Sequence, residues 1–189
     1  MNSIYDELYE SPNYYGNPMP QVIDFFRSSK KSVRVLDVGC GQGRHSIPLA
    51  EMGHEVTALD NSTKAINQLE QSILAIDTKV DIICQDAYEY TSYSNFDVLL
   101  FNLFFHFNSF EKAKEIRLLR KVIDELGEKS QLIITGYKND QDLDLLKSLI
   151  FESSYNLKTR TDFFSYPQES ENFQKNFYFF FTCQKRQLR

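Results

Sequence analysis

Along the chain, short runs of β-branched and apolar residues alternate with stretches whose apolar positions recur every three or four residues. Val33, Val35, Leu36 and Val38 predict a strand over 32–38, buried on both faces and ending at glycines. Similar runs predict strands over 55–59, 80–85, 96–101 and 131–135. Two closing strands, over 157–164 and 176–184, are joined by a polar loop containing Pro167. Helices are predicted near 21–28 and 45–52, over 62–75 with Asn61 or Ser62 as cap, over 110–126 and over 143–151. In the fourth, Ile116, Leu119, Val122, Ile123 and Leu126 form one stripe, with Gly127 as the stop. Pro48 fits the second helix only within its first turn. Strands alternating with helices imply right-handed crossovers and a doubly wound α/β fold. Its seven-stranded sheet should be mostly parallel and covered on both faces, with an antiparallel pair where no helix separates the closing strands.

The first 32 residues differ in kind, with Tyr5, Tyr9, Tyr14 and Tyr15 set among Pro12, Pro18 and Pro20. They read as an irregular or partly helical arm leading into a helix, a lid or a flap on the domain that occupies 33–189. At 189 residues a single domain is the expectation.

Composition narrows the function classes. The net charge of −5 argues against a protein that grips a phosphate backbone, and 16 Phe with 11 Tyr are incompatible with a solvated, disordered chain. No basic-then-apolar leader opens the sequence, and no apolar run approaches the roughly 20 residues of a spanning helix, so a cytoplasmic location is expected. Cys40, Cys84 and Cys183 show no metal spacing and read as buried thiols. His45, His54 and His106 are dispersed, so no metal site is expected.

Gly is scarce at 7 residues, yet three of them fall within Asp37-Val38-Gly39-Cys40-Gly41-Gln42-Gly43, directly after the first strand. In doubly wound sheets ligands lie beyond the carboxyl ends of the strands. Glycines there permit a tight turn and let a ligand approach backbone N–H groups at a helix start. The other unusual residues also follow strands: Asp60, suited to a ribose diol, then Asp86, then Asn102.

The stretch Val35–His45, VLDVGCGQGRH, resembles the first motif of class I S-adenosylmethionine-dependent methyltransferases, and Gly53–Ser62, GHEVTALDNS, resembles their second strand with its acidic end. The resemblance covers about 33 to 185 and is nearest to small TehB-like, small-molecule methyltransferases. It implies a Rossmann-like methyltransferase fold, S-adenosylmethionine as cofactor and methyl transfer to a small-molecule acceptor by in-line displacement. By that resemblance Gly39, Cys40, Gly41 and Gly43 form the cofactor loop and Asp37 orients the methionine amino group. Asp60 and Asn61 lie at the ribose and adenine, although an apolar residue is commoner than Asn61. Asp86 and Ala87 meet the adenine edge, and the Asn102 region meets the methionine end.

Two other readings stay open. A nicotinamide-binding Rossmann oxidoreductase would carry G-x-G-x-x-G, whereas the spacing here is G-x-G-x-G with Asp37 two residues ahead. A domain that binds the cofactor without catalysis, in a regulatory role, is also compatible. For the transfer itself, His106 is the candidate general base, because its loop follows the fourth strand. Against that stands an ordinary hydrogen-bonded loop histidine. Tyr137 is a weaker candidate, and His45 reads as capping or packing. Asn102-Leu103-Phe104-Phe105 resembles the Asn-Pro-Pro-Phe motif of enzymes that methylate amino groups, but both prolines are missing. No nucleic-acid or membrane partner is expected, and the oligomeric state and the acceptor atom stay open.

Overall fold

The computed structural model describes residues 6–29, 31–108, 110–153, 155, 157–166 and 176–185. Residues 1–5 of the arm and the loop holding Pro167 lie outside them. Seven strands form one sheet: β1 Arg34–Val38, β2 Glu55–Asp60, β3 Asp81–Cys84, β4 Val98–Asn102, β5 Gln131–Tyr137, β6 Leu157–Tyr166 and β7 Asn176–Lys185. Their order is β3-β2-β1-β4-β5-β7-β6. Strands β1 to β5 pair with one another in parallel, while β7 runs antiparallel to both β5 and β6. The doubly wound, mostly parallel sheet expected from the alternation is therefore present. The switch point lies between β1 and β4, where successive connections go to opposite sides.

The helices are α1 Pro20–Arg27, α2 Ser46–Glu51, α3 Thr63–Ala75, α4 Lys112–Glu125 and α5 Asp140–Phe151. Side chains alternate across each strand, so Val35, Ala58 and Leu100 pack with Phe26 of α1, Leu49 of α2 and Leu69 of α3. On the opposite face Leu36, Leu99 and Ile134 pack with Leu119 of α4 and Leu146 of α5. Asp37 is a carboxylate set between the buried apolar residues Leu36 and Val38 of β1.

Local signals explain the helix ends. Pro20 opens α1, where its missing N–H costs nothing. Pro48 lies in the first turn of α2, as its chemistry requires. Ser62 caps α3 by accepting the Ala65 N–H. Helix α4 starts at Lys112, later than its apolar stripe suggests, because Asn108 Oδ1 accepts the N–H groups of Phe110 and Glu111 and holds them in a turn. Helix α5 starts earlier than its leucines suggest, because Asn139 accepts the Gln141 N–H.

Candidate active site

A cavity of about 320 Å³ opens at the carboxyl ends of β1, β2 and β4. Its floor is the turn after β1. Gly39 and Gly41 have φ of +69° and +53°, which a residue with a Cβ enters only at a cost. The Gly39 and Cys40 N–H groups both donate to the Leu59 carbonyl, at 2.8 and 3.2 Å, tying the turn to the end of β2. A Cβ on Gly39 would come within 2.8 Å of the Phe104 ring, and one on Gly41 within 2.7 Å of the Tyr9 hydroxyl. The two glycines thus let aromatic side chains close directly on the backbone. Gly43 serves differently. A Cβ there would collide with Leu69 of α3, and the residue does not border the cavity, so Gly43 sets the approach of loop and helix.

Three carboxylates face this space from successive strand ends. Asp37 is 2% exposed and accepts the Ser46 hydroxyl at 2.6 Å. Burial pushes its carboxyl up to about 6, and the nearby Asp60 charge adds to the rise while Ser46 and Arg44 oppose it. Asp60 accepts the Gly41 N–H on Oδ2 and the Ser62 N–H on Oδ1, each at 2.8 Å. Burial raises its carboxyl too, against the pull of those donors. The Asn61 backbone N–H also supports the ionised carboxylate. Asp86 accepts the Tyr88 N–H on Oδ1 at 2.9 Å, and Lys114 of α4 stands 3.6 Å from Oδ2 and 3.7 Å over the Tyr88 ring. Asn61, Ala87 and Cys40 also line the cavity. Burial, with the Asp60 charge, drives the Cys40 thiol far up, so it stays protonated and acts as a small apolar wall.

At the end of β4, Asn102 stands beside Thr135 of β5 in register, and the fully buried Thr135 hydroxyl donates to Asn102 Oδ1 at 2.7 Å. The next residue, Leu103, turns the chain with φ of +54°, held by its N–H donating to the Thr135 carbonyl at 3.0 Å. That turn directs Phe104 onto Gly39.

The arm crosses the glycine turn. Tyr14 N–H donates to Gln42 Oε1 and Gln42 Nε2 donates to the Ser11 carbonyl, each at 2.8 Å. Gln68 of α3 donates to the Tyr9 carbonyl at 2.9 Å, and Lys64 stands 3.6 Å from Glu10. Tyr9 and Tyr15 consequently join the lining. His45, whose imidazole burial holds well below its usual pKa, accepts the Met19 N–H on Nε2 at 3.1 Å. It anchors the end of the arm, the packing role its position suggests.

Not every residue expected at the site reaches it. His106 is exposed and does not line the cavity. Its neighbours Phe105 and Phe107 are both 6% exposed and stack with ring centroids 5.6 Å apart, which turns the intervening side chain outward. The N–H groups of His106 and Phe107 donate to Glu115, at 3.0 and 2.6 Å. Tyr137 also lies outside the lining, packed 5.1 Å from Tyr178. In their place the fold brings Arg44, Tyr88, Phe104 and Lys114 to the cavity. Arg44 is legible as the residue following the glycine window. Lys114 lies 28 positions beyond Asp86, and no local pattern links them.

Comparison with known proteins agrees with this geometry. Residues 35–127 match a family described as a methyltransferase domain. A cypemycin N-terminal methyltransferase from Streptomyces sp. is 37% identical over 92 residues, 49% of this chain and 37% of that protein. A 2-heptyl-1-hydroxyquinolin-4(1H)-one methyltransferase from Mycobacteroides abscessus is 32% identical over 94 residues, 48% of this chain and 41% of that protein. The matches thus span less than half the length of either relative. The crystal structure of TehB from Haemophilus influenzae superposes with a TM-score of 0.66 at 16% identity, covering 92% of this chain and 67% of that one, a likeness of fold. The matched segment is the one that builds the glycine turn and all three acidic strand ends, so residues 35–127 are similar, in sequence as in fold, to methyltransferase domains.

Proposed function

We propose that this chain binds S-adenosylmethionine in the cavity and transfers its methyl group to a small-molecule acceptor. The observation that carries the reading is the glycine turn flanked by Asp37 and Asp60, two buried carboxylates on adjoining strands that line the cavity beside backbone with no room for a Cβ. The residues present fit the cofactor. Asp60, at the end of β2 on the cavity wall, can accept from a ribose hydroxyl, Asp86 and Ala87 suit an adenine edge, and the ionised Asp37 suits a cationic amino group. The cavity volume of about 320 Å³ falls within the usual range for ligand sites.

When bound, the cofactor supplies an electrophilic methyl group on a sulfonium that is itself an excellent leaving group. The protein's own task is then alignment and exclusion of water. Tyr9 and Tyr15 of the arm cover one side and Phe104 another, while Asn102 borders the reacting end. A small acceptor is favoured by the net charge of −5, which opposes a nucleic-acid surface. The two relatives are named for a peptide terminus and for a hydroxyquinolone, both far smaller than a folded macromolecule.

The test is a screen of candidate acceptors with labelled methyl donor, run beside Asp60→Ala. Label should pass to a small molecule, and the variant should fold while binding S-adenosylhomocysteine more weakly by about 1 to 3 kcal/mol, the cost of unpaired polar groups. Unchanged affinity in the folded variant would remove Asp60 from the site.

A further inference from the structure

The carboxylates of Asp37, Asp60, Asp86, Glu111 and Glu115 line the cavity, against the cationic side chains of Arg44 and Lys114. Both cations are already answered. Lys114 stands 3.6 Å from Asp86 Oδ2, and the Arg44 charge steadies the Asp37 carboxyl. His45, the histidine of the lining, is kept neutral by burial. Asp60, Glu111 and Glu115 therefore leave the space acidic. With the cofactor bound, its sulfonium, ammonium and carboxylate add a single net positive charge, and the space stays acidic.

The same wall shows how it holds an ammonium. Lys114 Nζ has the Asp86 carboxylate beside it and the Tyr88 ring beneath it, 3.7 Å from the ring centroid. A carboxylate together with an aromatic face is the pairing that suits a cationic nitrogen. The cavity offers these parts a second time. Glu111, half-buried, precedes Lys114 by one turn at the start of α4, and Glu115 follows it, taking the His106 and Phe107 N–H groups on its two oxygens. Tyr9, Tyr15 and Phe104 supply the rings, with Tyr9 and Tyr15 set edge to face at 6.2 Å.

The flow of charge points the same way. An anionic acceptor would enter against this field, and the transfer would erase its charge. An amine nitrogen gains positive charge as the methyl group arrives. The charge then moves from sulfur to nitrogen and remains among the carboxylates, which stabilise it throughout.

We infer that the acceptor is a basic amine methylated on nitrogen, that Glu111 receives its N–H, and that Tyr9, Tyr15 and Phe104 wall the nitrogen. This rests on the methyl-transfer reading above. The amine enters as its ammonium and gives one proton to water. Its nitrogen lone pair then forms the N–C bond as the C–S bond of the sulfonium breaks, and that bond's electron pair remains on sulfur. The products are a methylated ammonium and a neutral thioether.

The experiment uses the full chain saturated with S-adenosylhomocysteine, with benzylamine, benzyl alcohol and benzoate as probes matched in size. Calorimetry first establishes that S-adenosylhomocysteine binds; if it does not, the methyl-transfer reading itself falls. Given that binding, benzylamine at neutral pH should bind about tenfold tighter than benzyl alcohol, the scale of a hydrogen bond to a charged group, and benzoate more weakly than either. Glu111→Gln should remove most of that preference with S-adenosylhomocysteine affinity retained, and Glu111→Asp should keep it. Glu111→Lys should turn the preference toward benzoate; if that variant does not fold, Glu111→Gln decides. With labelled methyl donor, amines should take label on nitrogen, and matched phenols and carboxylic acids should not. Benzyl alcohol or benzoate binding as tightly as benzylamine, a preference unmoved in Glu111→Gln, or label on oxygen acceptors and not on amines would overturn the inference while S-adenosylhomocysteine binding stands.

Discussion

Asp37 places an ionisable group where its charge is costly, and the cost has a sign. Its carboxyl titrates at about 6 in the folded chain against 3.8 ordinarily, so folding favours the protonated form. That contribution is fully present below the ordinary value, fades as pH rises toward 6 and is gone above it. The difference is on the order of 3 kcal/mol. Urea denaturation should therefore show the Asp37→Asn variant gaining stability relative to the parent as pH climbs from 4 to 7. Ligand binding should run the opposite way. If the ionised Asp37 receives a cationic amino group, S-adenosylhomocysteine affinity should rise with pH through about 6 and then level, and Asp37→Asn should flatten that profile. At His106 the outward side chain leads to a different expectation. Loss of a general base lowers turnover by about 10² to 10⁴, whereas His106→Asn should turn over within about twofold of the parent, measured on whichever acceptor the screen identifies. Gly43→Ala should damage the fold rather than the site. Its φ of +84° and the adjacent Leu69 leave no room for a methyl group, so a loss of about 1 to 3 kcal/mol is expected by chemical denaturation.

Among the elements, the arm reaches the glycine turn and α3 through polar contacts as well as through buried Tyr9, and such polar contacts are individually worth only about 1 kcal/mol. Gln42 makes two of them, to Tyr14 and Ser11. Gln42→Ala should therefore loosen the arm with little change in melting temperature. If the arm covers the cofactor, S-adenosylhomocysteine should dissociate faster from that variant, by about tenfold for two lost hydrogen bonds. Stopped-flow fluorescence from the neighbouring tyrosines can follow this. An unchanged dissociation rate would leave the arm as a flap on the domain. The caps make a simpler prediction, because the Asn139 side chain accepts the Gln141 N–H in the first turn of α5. Asn139→Ala should cost about 1 kcal/mol without touching the cavity.

For the molecule as a whole, both sheet faces are filled by helices, and no helix among the described residues is long and apolar enough to cross a membrane. The carboxyl ends of β1 and β4 part at the switch point, which leaves the cavity as the place where the two halves of the sheet diverge. Binding there links to global stability. S-adenosylhomocysteine at about 100 times its Kd should add about 2.7 kcal/mol, or a melting shift of roughly 5 to 10 °C at this size. NAD should produce none. A larger shift with NAD would favour an oxidoreductase and sink the methyltransferase reading.

The order of strands and helices was legible because each buried element repeats its apolar residues at its own period, a local property of the chain. The glycine turn was legible for a related reason, since closely spaced positive φ values favour glycine, and Asp37, Asp60, Asp86 and Asn102 could be placed because a strand end is itself a local event. What tertiary structure alone decided is which side chains meet there. Lys114 comes to Asp86 across separate elements, and Tyr9 comes to Gly41 from an arm with no periodicity to reveal its path. His106 sits in the right loop by sequence, yet the stacking of Phe105 on Phe107 turns it away. Asn102 shows the division most sharply. Its position follows from the end of β4, but the partner of its side-chain carbonyl is a buried threonine 33 residues later, brought alongside by strand pairing.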